Sequence, residues 1–304
     1  MQINDHIGAL IYLKNKVNKW KNIAFFTVSF SIILIFKVFF NLNSDIVNED
    51  YIASIKIEGV ITEDEHRSKI LKKITEDPSV KGLIVRFNSP GGTIVGSEIL
   101  YQELLKIKEN KPLIVLMESV AASGAYLASM ASDIIVAHNG TLTGSIGVLM
   151  EAPNFSELAD KVGVKYNTYK SSPLKGSPSL FEKSNPLVDK VINESIKDSY
   201  EFFVDIVKKG RKNRLDSKFY NIVFDGRVFT GRQALQYGLV DSIGGINDVE
   251  KLFLVYKLDT KKIPIKNVDI EKKDYNFINK FLNLFPFINI GAQKQQYNIM
   301  AIIK

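Results

Sequence analysis

The chain has 304 residues, of which 45% are hydrophobic and 24% are charged, a balance typical of one or two globular domains with a sizeable core. It contains no cysteine and three histidines, which excludes disulfides and cysteine nucleophiles and leaves few residues for a zinc site. The net charge is +7, but four lysines and one aspartate in the first 22 residues account for +3 of it; the remainder carries about +4 and does not indicate a nucleic-acid-binding protein.

Residues 23–40 form an apolar run, IAFFTVSFSIILIFKVFF, whose only charge is Lys37 near its end. Eighteen such residues are enough to cross a bilayer, and no small-x-small cleavage site follows them. We therefore predict an uncleaved transmembrane anchor, with a cleaved signal peptide or a buried core helix as alternatives. Lysines precede the run and acidic residues follow it, so segment 1–22 is predicted to be cytoplasmic. Everything beyond the linker 41–50 is then expected on the external or periplasmic side of the cytoplasmic membrane.

Apolar runs and helical patterns alternate after the linker. Apart from Arg86, the run GLIVRF (82–87) is apolar, as is typical of a strand buried on both faces of a parallel sheet. We therefore predict the α/β class, with helices covering both faces of the sheet. The predicted strands are 52–61, 82–87, 112–118 and 133–137, and the predicted helices cover 66–77 and the region from Ile94 to Ile107.

The second half of the chain continues with fewer strong patterns. We predict a short helix from about Ser123, an extended segment GTLTGSIGVLM (140–150) and a long helix over 186–209. In TGRQALQYGL, Thr230 and Gln233 form a predicted capping box, and the glycine that follows is a helix C-cap. No internal repeat is evident.

One domain, 51–255, accounts for these patterns, and residues 256–304 form a C-terminal extension. The extension carries FINKFLNLFPFINI (277–290), whose large apolar groups suit a core segment, an oligomer interface or contact with a membrane surface.

Ser123, in ESVAASGAYLAS, is a candidate nucleophile because it follows an apolar strand and opens a helix flanked by small residues. Serine needs a base to take its proton and an oxyanion hole to stabilise the developing charge. The N–H of Gly124 is one possible donor, and NSPGG (88–92) supplies more, since Gly91 and Gly92 permit close approach to a carbonyl. Taken singly, these features also fit an ordinary N-cap serine and a tight turn.

Five segments in order resemble the SppA family of membrane-anchored signal peptide peptidases, Ser-Lys proteases of the ClpP/crotonase-like superfamily. The resemblance covers about residues 50–250 and implies that superfamily's α/β fold, built from repeated β-β-α and βαβ units. The segments are NSPGG (88–92), ASGAYLAS around Ser123, GTLTGSIGV (140–148), YKSSPLKGSPS (169–179) and DGRVFTGRQALQYGLVDSIGG (225–245).

The resemblance also implies roles for particular residues. The family's nucleophile falls on Ser123 and its general base on Lys175, while Ser145 matches the residue that orients the lysine. By analogy with the superfamily, the N–H groups of Gly92 and Gly124 form the oxyanion hole. The family register favours Lys175 over Lys170, the other lysine in this region.

Lysine can act as a base only when it is neutral, so its surroundings must disfavour the ammonium form. Histidine is the rival base, and His138 is the one candidate near Ser123 in sequence, with Asp133 as a possible partner. His6 lies on the predicted cytoplasmic side and His66 lies among charged residues, so neither suits this role.

The resemblance implies a serine endopeptidase that degrades cleaved signal peptides and other short apolar peptides. It also implies a homo-oligomeric ring whose active sites combine residues from adjacent chains, with peptides and the membrane as partners and without nucleic acid. A crotonase-like acyl-CoA enzyme and a non-catalytic membrane scaffold are the alternatives on the same fold. The sequence carries no phosphate loop or cofactor motif, so we expect no cofactor and no metal.

Overall fold

The computed structural model describes residues 2–42, 49–183, 185–270 and 300–302. The chain divides into two units, residues 1–49 and 50–304.

The described part of the first unit consists mainly of one long helix, α1 (Gln2–Leu42). It includes the run 23–40 that the sequence predicts as an anchor, and its large apolar side chains are exposed, Phe25 by 70% and Phe26 by 72%. Within the described part of the chain, no helix is both long and apolar enough to cross a membrane. The helix is observed, and its function as an anchor stays a prediction.

The second unit is built on an eight-stranded sheet. Its strands are β1 (Tyr51–Glu58), β2 (Val80–Ser89), β4 (Leu113–Ala122), β5 (Ile134–Ala137), β6 (Leu142–Gly144), β7 (Val228–Thr230), β8 (Ser242–Ile243) and β9 (Ile265–Asn267). Two further short strands, β3 (Gly91–Thr93) and β10 (Met300–Ile302), pair with each other outside this sheet. The helices are α2 (Glu65–Glu76), α3 (Ile94–Lys108), α4 (Gly124–Ser129), α5 (Ser156–Lys161), α6 (Pro186–Arg211), α7 (Tyr220–Val223), α8 (Gly231–Gln236) and α9 (Ile246–Leu252).

The sheet runs in the order β7-β6-β4-β2-β1-β9. Three successive strand–helix–strand units, β1–α2–β2, β2–α3–β4 and β4–α4–β5, place their strands side by side and parallel. The predicted α/β class with a parallel sheet is therefore confirmed. Only β6 and β7 pair antiparallel in this sheet, among the described residues.

Alternate residues of the central strands enter separate layers of core. Ile55, Val85 and Val115 lie in register on one face, in the same cluster as Leu100 and other apolar residues of α2 and α3. Ile84 and Ile114, each one residue earlier in its strand, point to the other face of the sheet. There they belong to a second cluster with Val249 and Phe253 of α9 and the turn that follows it. Burying each such side chain contributes about 1.5–3 kcal/mol, which explains why the central strands are mostly apolar.

Strand β4 is longer than predicted, and its edge opposite β2 pairs with two different strands. Its first half pairs with β5, and its last three residues, 120–122, pair with β6 instead. The predicted extended segment 140–150 forms a strand only over Leu142–Gly144, because Gly144 and the residue after it take positive φ angles. This branch point brings the ends of β4 and β6 together, and it defines the candidate site.

A buried ion pair fastens the end of α6 to the edge of the sheet. Arg211 is 1% exposed and bonds both carboxylate oxygens of Asp241, at 2.8 and 3.1 Å. The same carboxylate accepts the backbone N–H of Ile135 in β5 at 2.7 Å. The guanidinium also donates to the carbonyl of Gly238, so the charges are well paired although buried.

Candidate functional site

Ser123 stands between the last residue of β4 and the first residue of α4. Its backbone has φ 53° and ψ −119°, a conformation that non-glycine residues rarely adopt. Two backbone bonds hold it there: its N–H donates to Gly144 at 2.8 Å and its carbonyl accepts from Leu127 at 2.9 Å. Its hydroxyl does not cap the helix. A strained serine at a strand-to-helix turn is typical of a nucleophile held for attack.

The backbone of Gly92 lies beside Gly124. A methyl group on Gly124 would be 2.1 Å from the Oγ of buried Ser97 and 3.2 Å from the nitrogen of Gly92, and one on Gly92 would be 1.7 Å from the carbonyl oxygen of Ile61. Both positions therefore require glycine. The two predicted oxyanion donors belong to adjacent pieces of backbone, next to the serine.

Hydrogen bonds to Ile61 fix the direction in which Gly92 points. The carbonyl of Gly91 accepts from the N–H of Ile61 at 2.8 Å, and the N–H of Thr93 donates to the carbonyl of Ile61 at 2.9 Å. In a trans peptide unit the C=O and the N–H point in opposite directions. The N–H and carbonyl of Gly92 therefore both point away from Ile61, toward the other edge of β3.

Two serines that sequence reasoning missed support this backbone. Ser89 accepts the N–H of Gly91 at 3.1 Å, and Ser97 donates to the carbonyl of Thr93 at 2.8 Å, with its Oγ packed against Gly124. Both are fully buried. Their sequence signal is a serine at the end of an apolar strand and one inside the first turns of the next helix, which is too common to single out.

Ser145 occupies the corresponding position after β6. Ala122 pairs with Gly144 at the ends of β4 and β6, two strands about 5 Å apart, and Ser123 and Ser145 are the residues that directly follow them. Ser145 is half-buried, has φ 50°, and donates its N–H to the carbonyl of Arg227 at 2.9 Å.

Lys175 is not part of this cluster within one chain. It lies in the loop formed by the segment YKSSPLKGSPS (169–179), where its side chain is exposed and its backbone N–H donates to the carbonyl of Ser172 at 3.1 Å. Among the described residues, no hydrogen bond or ion pair engages its ammonium group. The structure thus brings together Ser123, Gly92, Gly124 and Ser145, and leaves the predicted base apart.

Lys170, the alternative base, has a partner of its own. Its side chain is largely buried and forms an ion pair with Glu182. The hydrogen bond from Lys170, and to a lesser extent one from Thr168, lowers the pKa of the Glu182 carboxyl. The glutamate therefore remains charged and keeps its ion pair with Lys170. This contact accounts for Lys170 as a structural residue of the loop.

His138 lies far down the sheet from Ser123. Ala137 pairs with Met117 in β4, so His138 is at the level of Glu118, five residues before the serine. Five residues of strand extend about 16 Å. His138 is exposed, and its backbone N–H donates to Thr141 at 3.0 Å. The geometry does not support it as a base for Ser123.

A buried tyrosine fastens the helix that begins after the nucleophile. Tyr126 is fully buried, and its hydroxyl donates to the carbonyl of Leu239 at 2.8 Å. Burial raises the pKa of this hydroxyl, so it stays protonated and acts as a donor. Tyr126 thus ties α4 to the chain between α8 and β8.

Comparison with known proteins identifies the family. A model described as peptidase family S49 matches residues 106–254. The chain is also 34% identical over 224 residues to a protein of Synechocystis sp. that is named as a protease. The match covers 73% of this chain and 80% of the relative. The chain belongs to peptidase family S49. The matched residues include Ser123, Ser145 and Lys175.

Two other relatives carry more specific names. The S49 chain is 43% identical over 179 residues to a protein named as a signal peptide peptidase SppA from Enterococcus faecium, covering 59% of this chain and 52% of the relative. It is 36% identical over 207 residues to Protease 4 of Haemophilus influenzae, covering 65% of this chain and 33% of the relative. The match spans about half or less of each of these two relatives. The resemblance to the SppA family is confirmed.

We predict that Gly92→Ala lowers kcat for peptide hydrolysis by about 10²-fold or more, the effect of losing one oxyanion donor. The new methyl group cannot coexist with the carbonyl of Ile61, so β3 has to move and carries its N–H away from Gly124. Steady-state kinetics with an apolar peptide measures the change, and circular dichroism verifies that the variant is folded.

The matched control is Gly140→Ala, where no atom lies within 4 Å of the added methyl group and kcat should be unchanged. A fully active Gly92→Ala protein would show that Gly92 is not part of an oxyanion hole.

Proposed function

We propose that this S49 chain is a membrane-anchored serine endopeptidase that uses a Ser123–Lys175 dyad to degrade cleaved signal peptides and other short apolar peptides. The observation that carries the proposal is the strained, buried backbone of Ser123 beside the adjoining glycines 92 and 124. A structural N-cap serine needs neither the positive φ angle nor a second glycine backbone at its side.

The proposed reaction is acyl transfer through the serine. Neutral Lys175 takes the proton of the Ser123 hydroxyl while Oγ attacks the scissile carbonyl. The carbonyl oxygen gains negative charge and is stabilised by the N–H groups of Gly92 and Gly124. The lysine then gives its proton to the leaving amine as the C–N bond breaks. In the second step the neutral lysine takes a proton from water, the water oxygen attacks the acyl-enzyme, and the proton returns to the Ser123 oxygen as it leaves. Ser145, at the end of the neighbouring strand, orients the lysine.

We propose that Lys175 reaches Ser123 from a neighbouring copy of the chain, in a closed ring. The exposed, unengaged lysine in a single chain supports this arrangement, since a base has to leave bulk water to act at neutral pH. Several apolar side chains in the segment just before its loop are exposed, with Tyr169 93% accessible, and a second copy would cover them. These exposed side chains are Leu158, Val162, Val164, Tyr166 and Tyr169.

The anchor belongs to the same proposal. Helix α1 exposes large apolar side chains from Ile23 to Ile35, and these side chains require an apolar environment. A cytoplasmic membrane supplies it, and it also holds the peptidase where cleaved signal peptides remain. The lysines before the helical run favour an external or periplasmic peptidase unit.

A reporter fused after Lys304 tests the topology. We expect an enzyme that works only outside the cytoplasm to be active in this fusion, and one that works only in the cytoplasm to be inactive. Moving the lysines at 14, 16, 19 and 21 to the other side of the run should reduce or reverse this preference. The opposite pattern in the unaltered fusion contradicts the proposed orientation.

The shared site is tested by mixing two inactive variants. Ser123→Ala and Lys175→Ala chains are each expected to lack peptidase activity, because one has no nucleophile and the other no base. After equal amounts are unfolded and reassembled together, about a quarter of the neighbouring pairs combine an intact serine with an intact lysine, so about a quarter of the wild-type activity should return.

Differently tagged subunits demonstrate that mixed assemblies have formed, and Lys170→Ala serves as the matched lysine control that keeps most of its activity. Mixed assemblies without any recovery would place both residues of the dyad in one chain. Loss of activity in Lys170→Ala together with an active Lys175→Ala would show that Lys170, and not Lys175, is the base.

A further inference from the structure

Arg67 is a buried cation in the first turn of α2, outside the site described above. It is 6% exposed, and its Nη2 donates to the carbonyl of Thr62 at 2.7 Å. Its Nε has no hydrogen-bond partner among the described residues. Burial lowers the pKa of the guanidinium, an effect that the carboxylates of Asp64, Glu103 and Glu63 oppose. An apolar side chain would fill the same space without the cost of burying a charge, so the bond to Thr62 is what distinguishes arginine here.

Residues 61–63, the segment that contains Thr62, hold β3 in place at two levels. The backbone of Ile61 bonds the residues on either side of Gly92, as described above. The side chain of Thr93 donates to Oε1 of Glu63 at 3.0 Å. The position of β3 therefore follows the position of this segment.

The carbonyl of Thr62 lies between these two attachments. The first turn of α3 packs closely against it, because a methyl group on Gly96 would be 2.6 Å from its carbonyl carbon. Arg67 supplies a donor to this carbonyl, and hydrogen bonds from a charged donor are among the stronger ones in proteins. The segment cannot move away from β3 without breaking this bond.

We propose that Arg67 is a positioning residue for the reaction: its bond to Thr62 keeps residues 61–63 in the place from which Ile61 directs the N–H of Gly92 into the oxyanion hole. This inference rests on the proposed function. Arg67 acts through Ile61 and Gly92, without touching the substrate. Stabilisation of an oxyanion depends on donors that are held in place before the reaction, so a small displacement of Gly92 raises the barrier.

A purely structural role is the alternative, in which Arg67 stabilises the start of α2 and nothing more. A structural residue changes the fraction of molecules that are folded, and each folded molecule keeps the affinities of the wild type. A positioning residue weakens the binding of ligands that form an oxyanion and leaves the binding of other ligands unchanged.

Two peptide inhibitors of the same sequence separate these roles. With a peptide aldehyde, Oγ of Ser123 bonds to the aldehyde carbon, the proton of the hydroxyl passes to the neutral lysine, and the former carbonyl oxygen becomes an oxyanion. The matching peptide alcohol has no carbonyl at this position and binds through the rest of the peptide. The ratio of the two inhibition constants therefore measures the oxyanion hole, and it does not depend on the fraction of molecules that are folded.

Arg67→Met removes the donor and keeps an unbranched side chain. We expect it to raise the inhibition constant of the aldehyde about tenfold and to lower kcat/KM for a peptide by a similar factor, while the inhibition constant of the alcohol stays unchanged. Arg67→Lys keeps a charged donor and should recover most of the loss, since one donor is enough for one carbonyl. Arg67→Gln, whose amide is too short to reach Thr62 in the same way, should behave like Arg67→Met and replaces it if that variant does not fold.

Lys111→Met is the matched control. Lys111 is also a buried cation, 8% exposed, that donates to backbone carbonyls, but these belong to Ile74 and Asp77 at the other end of α2. Its removal should destabilise the protein and leave the ratio of the inhibition constants unchanged. An unchanged ratio in Arg67→Met and Arg67→Gln overturns the proposal, as does an equal change in Lys111→Met.

The second readout is hydrogen exchange of the Thr93 amide, which donates to the carbonyl of Ile61. Arg67→Met should exchange this amide about tenfold faster, while the amide of Val115 in the central strand stays protected and shows that the fold is intact. Unchanged protection of Thr93 contradicts the inference. A wild-type protein that neither hydrolyses the peptide nor binds the aldehyde shows instead that the proposed function has failed, and the role of Arg67 in the reaction fails with it even where the exchange of Thr93 responds as expected.

Discussion

The end of strand β4 holds Ser123 in a backbone conformation that a residue with a side chain adopts at a cost of about 1–3 kcal/mol. The surrounding structure has to impose it. It does so through the pairing of Ala122 with Gly144, the bond from the N–H of Ser123 to Gly144, and the buried helix that follows. The sheet branches at this point, because the first half of β4 pairs with β5 and its end pairs with β6. Strand β6 supplies the carbonyl of Gly144 that accepts the N–H of Ser123.

The glycines beside the serine follow from the same constraint. A helix that starts directly at the serine brings Gly124 against β3, and there is room for neither a side chain on Gly124 nor one on Gly92. The N–H of Gly92 faces the site because its neighbours on each side are bonded to Ile61. On the proposed function, catalysis therefore depends on backbone positions that the sheet fixes before any substrate arrives, and the base arrives from outside the chain.

Much of the fold could be predicted from local patterns in the sequence. Apolar runs such as GLIVRF are long enough to identify buried parallel strands, and the capping box of Thr230 and Gln233 is present as predicted. The long helix predicted over 186–209 is observed as Pro186–Arg211. In each case the determining contacts lie within a few residues, so the local sequence carries the information.

What the sequence could not supply are features that arise between distant segments. The length of β4 depends on β6, which begins twenty residues after β4 ends, and its last residues are small rather than strongly apolar. The support given by Ser89 and Ser97 depends on the path of neighbouring backbone. The pairing of β10 with β3 joins residues about 200 positions apart, and no local periodicity reports it. The predicted role of Lys175 rests on family resemblance, because a single chain leaves this lysine exposed.

The central claim is that Ser123 is the nucleophile of an S49 peptidase, and site mapping of a covalent inhibitor tests it most directly. The protein is treated with a fluorophosphonate, digested and analysed by mass spectrometry. The account predicts one adduct for each reactive site, carried by Ser123 and absent from Ser123→Ala, with Ser145 unmodified in both proteins. An adduct on another serine, or labelling that persists in Ser123→Ala, would contradict it.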